Sequence, residues 1–305
     1  METVDPAAVD VNGGDAKDSL YDRLRSEAIE AECDEPELSM LLRRTILSPT
    51  VSTFDEAIAA TVAHRLFPIP ASSSCNFCPN ACRDIILRAF QSDHMELGHT
   101  MSEAIRQDVL AVCERDPACD SILEVVLFYK GFAALVCHRA AQRAYFDPNK
   151  KRRSMVALFL QSQASAMFGV DIHPASRIGM GVFLDHGTGI VIGETAVVED
   201  GCTILQEVTL GGTGKDSGDR HPKVGKHVLI GAGAKILGNV RIGDCAKIGA
   251  GSIVLRPIPS HATAVGVPAK IIGRAREADP ANTIDVSYCR TSPPLRFYAT
   301  TIICH

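Results

Sequence analysis

Between Ile172 and Val254 a branched apolar residue returns at every sixth position, through fourteen phased sites. Ile172, Ile178, Leu184 and Ile190 make one series, and Ile192, Val198, Ile204 and Leu210 a second, displaced by two residues. After an interruption the beat resumes at Val224, Ile230, Ile236, Ile242, Ile248 and Val254. A strand repeats every second residue and a helix after about 3.6, so neither sustains a hexad. Short flat strands wound into a parallel β-helix do, each hexapeptide forming one face and sending one apolar side chain inward. Gly179, Gly193, Gly225, Gly231, Gly243 and Gly249 follow directly after such positions. They mark corners where the backbone turns tightly and a side chain would crowd the next coil.

Upstream, from Asp18 to about Phe168, the pattern is helical. Thr53 with Glu56, Thr100 with Glu103, and Ser121 with Glu124 read as three capping boxes, each opening an apolar-periodic run. Ile105, Val109 and Val112 share one face, and Ile122, Val126, Tyr129, Phe132 and Val136 share another, read as one continuous helix. Pro117 and Pro148 close the helices before them. The chain therefore divides into a fraying amino terminus (residues 1–17), an α-helical assembly domain (18–168), a β-helix (169–273) and a tail without clear pattern (274–305).

The 305 residues, 46% hydrophobic and 22% charged, suit a globular protein with a real core. The most apolar helical run, Ser121 to Ala141, contains Glu124 and Lys130, so a membrane span is not expected. An acidic amino terminus without an apolar core predicts no secretory signal and a cytoplasmic location. A net charge of −5 makes nucleic acid a poor partner. Eleven cysteines, an odd number, read as reduced thiols. Cys75, Cys78 and Cys82 cluster, but a metal site there needs a fourth ligand, for which His64 is the only nearby candidate, so no metal is assigned.

Three polar islands interrupt the hexads: Asp171 to Pro174, Asp185 to Gly189, and the excursion Gly211 to Pro222. A coil that only had to be stable would not need the last of these. His186 beside a carboxylate gives general-base chemistry near neutral pH. Asp171 precedes His186 by fifteen residues, against about eighteen for a three-hexad coil, which brings the two near each other on adjacent coils. Asp185, next in sequence, is expected on the opposite side of an extended chain. Asp171 is thus the expected orienting carboxylate and Asp185 a substrate contact.

The words Val170-Asp171-Ile172-His173-Pro174, Leu184-Asp185-His186-Gly187-Thr188, Val191-Ile192-Gly193-Glu194-Thr195, Val208-Thr209-Leu210-Gly211-Gly212-Thr213-Gly214-Lys215, Gly218-Asp219-Arg220-His221-Pro222-Lys223 and Gly266-Val267-Pro268-Ala269-Lys270 resemble those of serine acetyltransferases, of the hexapeptide-repeat acyltransferase superfamily. Arg115-Asp116-Pro117-Ala118-Cys119-Asp120 extends the likeness into the helical domain. The resemblance implies a left-handed β-helix behind an all-helical amino-terminal domain, assembled as a homotrimer or a dimer of trimers with active sites between subunits. It implies acetyl transfer from acetyl-CoA, a co-substrate rather than a resident cofactor, to the hydroxyl of L-serine. By the same likeness His186 is the base and Asp171 its partner. Asp116 and Asp185 hold the serine amino group, and Arg220 and His221 its carboxylate. Gly212, Thr213, Ala232, Lys247, Ala250 and Lys270 match positions along the coenzyme A groove. Two departures stand out. Gly187 replaces a more usual alanine and is expected to loosen its corner. Ile303 is followed by Cys304 and His305, whereas relatives commonly end in an isoleucine that enters O-acetylserine sulfhydrylase, so that partnership stays open. Transfer to homoserine or a sugar, a metal enzyme using His173, His186 and His221, and a non-catalytic scaffold are the competing readings. The Asp116 and Arg220 pair favours an acceptor carrying both ammonium and carboxylate.

Overall fold

A computed structural model of the chain describes residues 18–67, 79–92, 97–149, 154–215, 217–275 and 278–284. Eight α-helices come first among the described residues: α1 (Ser19–Asp34), α2 (Ser39–Arg44), α3 (Phe54–Leu66), α4 (Pro79–Phe90), α5 (Met101–Arg115), α6 (Ile122–Phe128), α7 (Lys130–Tyr145) and α8 (Met155–Phe168). Thr53 and Thr100 form full capping boxes with Glu56 and Glu103. Ser121 caps α6 through Glu124 N–H, but the Glu124 carboxylate accepts from Asp120 N–H instead of completing the box.

The helix expected to run unbroken from Ile122 to Val136 is two, parted at Tyr129, whose backbone is extended (φ −72°, ψ 110°). The break has two physical causes. The Arg65 guanidinium donates to the carbonyls of Val126, Phe128 and Tyr129 at 3.2–3.3 Å, satisfying the end of α6. Gly131 then presses against the β-helix so closely that an added Cβ would lie 2.0 Å from Leu184 O. A straight continuation could not make that approach.

Gly169, at φ +69°, caps α8, and the parallel β-helix begins at Val170. Its first face stacks Val170–Ile172, Ile190–Ile192, Thr209–Gly211, Lys235–Leu237 and Ile253–Val254. The second stacks Arg177–Ile178, Val197–Val198, Lys223–Val224 and Arg241–Ile242. The third stacks Phe183–Leu184, Thr203–Ile204, Leu229–Ile230, Lys247–Ile248 and Ala262–Val265, and an antiparallel strand, Lys270–Arg274, closes it. All fourteen hexad residues are buried, none more than 4% exposed. At roughly 1.5–3 kcal/mol for each fully buried branched side chain, this column is the main source of the coil's stability.

The displacement between the first two series has a structural cause. Val170 pairs with Ile190, twenty positions on, whereas Val191 pairs with Thr209 and Lys235 with Ile253, each eighteen on. The extra pair of residues lies in the Asp185–Gly189 corner. The expected crowding is found at Gly179, Gly225 and Gly243, where an added Cβ would lie 2.2–2.4 Å from atoms of the next coil.

Helices α5 and α7 clamp the first coil. Asp108, buried, accepts from Val182 N–H at 2.8 Å and pairs with Arg139 at 2.7 Å. Arg139 also donates to Ile178 O and Gly179 O, and Gln142 to Ser176 O. The tail, expected to be patternless, returns as a helical turn, α9 (Pro280–Thr283). There Asn282 Oδ1 accepts from Arg115 Nε at 2.7 Å, and Ala281 O accepts from Thr203 Oγ1 at 2.8 Å. No helix among the described residues is long and apolar enough to cross a membrane. Cys82 is buried in α4, while Cys75, Cys78 and the carboxyl-terminal Ile302 to His305 lie outside the described residues.

Candidate active site on two edges of the coil

Where the chain leaves the third face for the first, Asp185 to Gly189 turn through two tight steps. Gly187 N–H donates to Asp185 O at 2.6 Å and Thr188 N–H to His186 O at 2.8 Å. His186 takes φ +55° and Gly187 φ +69°, both left-handed. An added Cβ at Gly187 would sit 3.1 Å from Val170 Cγ2, so this glycine fits a crowded corner and does not loosen it.

The left-handed turn also overturns the expectation that Asp185 and His186 point apart, because strand alternation stops at φ > 0. Asp185 Oδ1 lies 3.7 Å from His186 Nε2. The imidazole is 72% exposed, and its carboxylate neighbour 16%. Asp171 stands close to the same edge, since Val170 pairs with Ile190 and Gly189 N–H donates to Gly169 O. Its carboxylate, however, accepts from Gln161 Nε2 of α8 at 2.8 Å. Among the described residues no hydrogen bond or ion pair joins Asp171 to His186, so the expected pairing is not formed in this state.

Asp116 approaches this corner from the end of α5, held extended (φ −91°, ψ 108°) ahead of Pro117. One oxygen accepts from Ala118 N–H at 2.9 Å and the other from the Tyr129 hydroxyl at 2.8 Å. Burial pushes the Asp185 carboxyl up, the charge of Asp116 pushes the same way, and His186 opposes both. Burial and the bond to Asp116 also push the Tyr129 phenol up. Two crowded carboxylates in a partly dry corner form a site for a cation with several N–H donors. Lys130 Nζ, from the start of α7, contacts Thr188 Oγ1 on the same corner.

The same edge runs on down the coil as a ladder: Glu207 N–H to Thr188 O, Gly233 N–H to Gln206 O, and Gly251 N–H to Ala232 O. Ala232 and Ala250 lie on it one above the other, Ala250 exposed. Lys270 is exposed on the last strand. Lys247 is not on display as expected: it is 4% exposed, because it stands in a strand of the third face and not at its corner.

A second group sits on the opposite border of the first face, where the chain passes to the second. Arg220 Nη2 pairs with Glu194 Oε2 at 2.8 Å. His221, buried, fills the space that Gly193 leaves, where an added Cβ would meet its ring at 2.1 Å. Thr195 N–H approaches His221 Nδ1 at 3.2 Å and Thr195 Oγ1 lies 2.9 Å away. A donor N–H aimed at Nδ1 makes it the acceptor, which leaves the proton on Nε2 of a neutral ring. Burial pushes the His221 pKa down, and the positive charges of Arg220 and Lys223 add to it. Gly212 and Thr213 belong to the same excursion, Thr213 lying over Gly238.

The expected site residues thus fall into two half-sites. Asp116, Asp185 and His186, with Ala232 and Ala250 below, lie on one edge; Arg220, His221, Gly212 and Thr213 lie on the other, with the first face between. His173, with its ring 5.8 Å from that of Tyr145, stands at the second edge, so His173, His186 and His221 do not converge. No cluster of metal-binding side chains forms among the described residues. Tyr129, Thr195 and Gln161 were not singled out from sequence. Tyr129 read only as part of a helix face, and its adjacency to Asp116 requires the helix break.

Residues 20–137 match the family model for the serine acetyltransferase amino-terminal domain, and residues 221–256 that for the bacterial transferase hexapeptide repeat. The chain is 44% identical over 267 residues to a serine acetyltransferase of Salmonella typhimurium, covering 87% of this chain and 91% of the relative. It is also similar to a soybean serine acetyltransferase solved with serine (TM-score 0.74, 42% identity, 84% of this chain and 98% of that one). A serine acetyltransferase of Brucella abortus solved with coenzyme A is alike to the same degree (TM-score 0.74, 45% identity, 84% and 96%).

Proposed function

The chain belongs to the serine acetyltransferase family, and from that premise we propose that it transfers the acetyl group of acetyl-CoA to the hydroxyl of L-serine, giving O-acetyl-L-serine and CoA. The observation that carries the reading is the division of charge between the two edges. Asp116 and Asp185 take the serine ammonium, whose positive charge offsets the burial and the neighbouring Asp116 charge that raise Asp185. Arg220 takes the serine carboxylate in exchange for part of its bond to Glu194, and His221 donates from Nε2. His186 removes the hydroxyl proton as the oxygen attacks the thioester, then returns a proton to the leaving thiolate. Asp171 orients the imidazole by giving up Gln161. Holding acceptor and donor in line supplies a further large part of the rate.

The two half-sites lie on separate edges of one coil, so a complete site requires the acidic edge of one copy to meet the basic edge of the next. A closed ring satisfies every edge once, and we infer that it is the homotrimer implied by the family resemblance, with pairs of trimers joined through the helices. Coenzyme A lies in the groove between copies, its pantetheine arm along Ala232 and Ala250. Lys270, exposed on the last strand, is available to its phosphates.

The acceptor is tested by thiol release from acetyl-CoA with L-serine, L-homoserine or buffer alone. Release that depends on serine, with homoserine poorer, is the expected result. Faster release with homoserine, or none with either, would point to another acceptor of the superfamily.

A further inference from the structure

Cys113, on the last turn of α5, and Cys119, just beyond Pro117, face each other across the turn that carries Asp116, with their sulfurs 3.7 Å apart. Both are partly exposed, whereas Cys82, Cys137 and Cys202 are buried. A disulfide requires about 2.05 Å between the sulfurs. Bringing the sulfurs to bonding distance requires both side chains to rotate and the turn to tighten. That tightening cannot spare Asp116. Cys119 N–H donates to Asp116 O at 3.0 Å, and Ala118 N–H and the Tyr129 hydroxyl fix the two oxygens of its carboxylate.

We propose that Cys113 and Cys119 are an oxidisable dithiol, a modification site for small disulfides, whose closure displaces Asp116 and weakens acceptor binding. The functional half of this rests on the reading of Asp116 as a ligand of the serine ammonium. In the first step one protein thiolate attacks a sulfur of the small disulfide, expelling one small thiolate and leaving a mixed disulfide. In the second the other protein thiolate attacks the cysteine sulfur of that mixed bond and expels the second small thiolate. Two protein thiols thereby lose two electrons and two protons, and the small disulfide becomes two thiols.

Burial pushes the Cys113 thiol up to about 12, with Cys119 beside it adding to the effect, and burial raises Cys119 as well. Few thiolates are present at neutral pH, so the exchange is slow and the pair responds to sustained oxidation, not to a brief pulse.

The test uses the full chain incubated with excess oxidised glutathione, followed by alkylation and trypsin. The peptides Gln107–Arg115 and Asp116–Lys130 each contain one of the two cysteines. They are expected to appear joined, two hydrogens lighter than the separate reduced peptides. The KM for L-serine is expected to rise by about 10-fold, as for loss of a hydrogen bond to a charged group. The KM for acetyl-CoA should change little, and dithiothreitol should reverse both effects. Cys113→Ser and Cys119→Ser, with Cys113→Ala as a second choice should the serine disturb α5, are expected to keep the reduced activity and lose the response. Failure of the two peptides to join while other thiols are oxidised overturns the proposal, as does joining with an unchanged KM for serine. Asp116→Asn separates the two layers: if it leaves the serine KM unaltered, the reading of Asp116 fails, while the cross-link in the mass spectrum stands or falls independently.

Discussion

Replacing His186 with alanine is expected to lower kcat by about 10²- to 10⁴-fold, the contribution of a positioned general base. A serine hydroxyl is a weak nucleophile, and in the proposed mechanism its proton goes to this imidazole, which is 72% exposed on a corner beside the Asp185 carboxylate. Serine binding should suffer little, since Asp116 and Asp185 remain. Alanine at φ +55° carries a backbone cost, so His186→Asn is the cleaner variant, asparagine being more at ease in that region. Thiol release at saturating substrates, with the unfolding midpoint as a control, checks the effect. A loss of less than about 10-fold in both variants would mean that His186 is not the base.

Asp108→Ala is expected to destabilise the protein by about 3–5 kcal/mol, the usual consequence of breaking a buried pair by removing one partner. Asp108 is fully buried and Arg139 is 5% exposed, 2.7 Å away. Removing the carboxylate leaves a buried guanidinium without its counter-charge and orphans Val182 N–H. Because Arg139 also holds the carbonyls of Ile178 and Gly179, the damage falls on the junction between α5, α7 and the first coil. Urea unfolding followed by circular dichroism measures it. A shift within about 1 kcal/mol would show that the apolar contacts of α7 hold the junction alone.

The hexads revealed the coil because each inward residue is fixed by one local rule, and Ile172 through Val254 obey it apart from one two-residue displacement and one long excursion. The half-sites were less legible. His186, Arg220 and His221 stood out as polar residues in islands, but their separation onto two edges depends on which corner each island occupies. The first corner is two residues longer than the eighteen-residue repeat allows. That same length, together with a left-handed φ at His186, put Asp185 beside the imidazole and left Asp171 with Gln161. Neither the φ nor the Gln161 contact has a periodic signature. Tyr129 was hidden for a different reason. Its helical spacing from Val126 and Phe132 is real, and the break beside it comes from Arg65 and from the approach of Gly131 to Leu184, both set by residues far away in sequence.

Mixing two inactive variants tests most directly that the site is shared between copies. In the proposed mechanism His186→Ala removes the base of the acidic edge, and Arg220→Ala the carboxylate ligand of the other edge. Each alone should be nearly inactive with serine. After dissociation and reassembly at equal ratio, any cyclic ring should regain roughly a quarter of the native sites, those where an intact His186 of one copy meets an intact Arg220 of its neighbour. Recovery near that level is the expected result. No recovery, with mixed rings demonstrated by mass, would place both residues' contributions within a single chain and contradict the shared site.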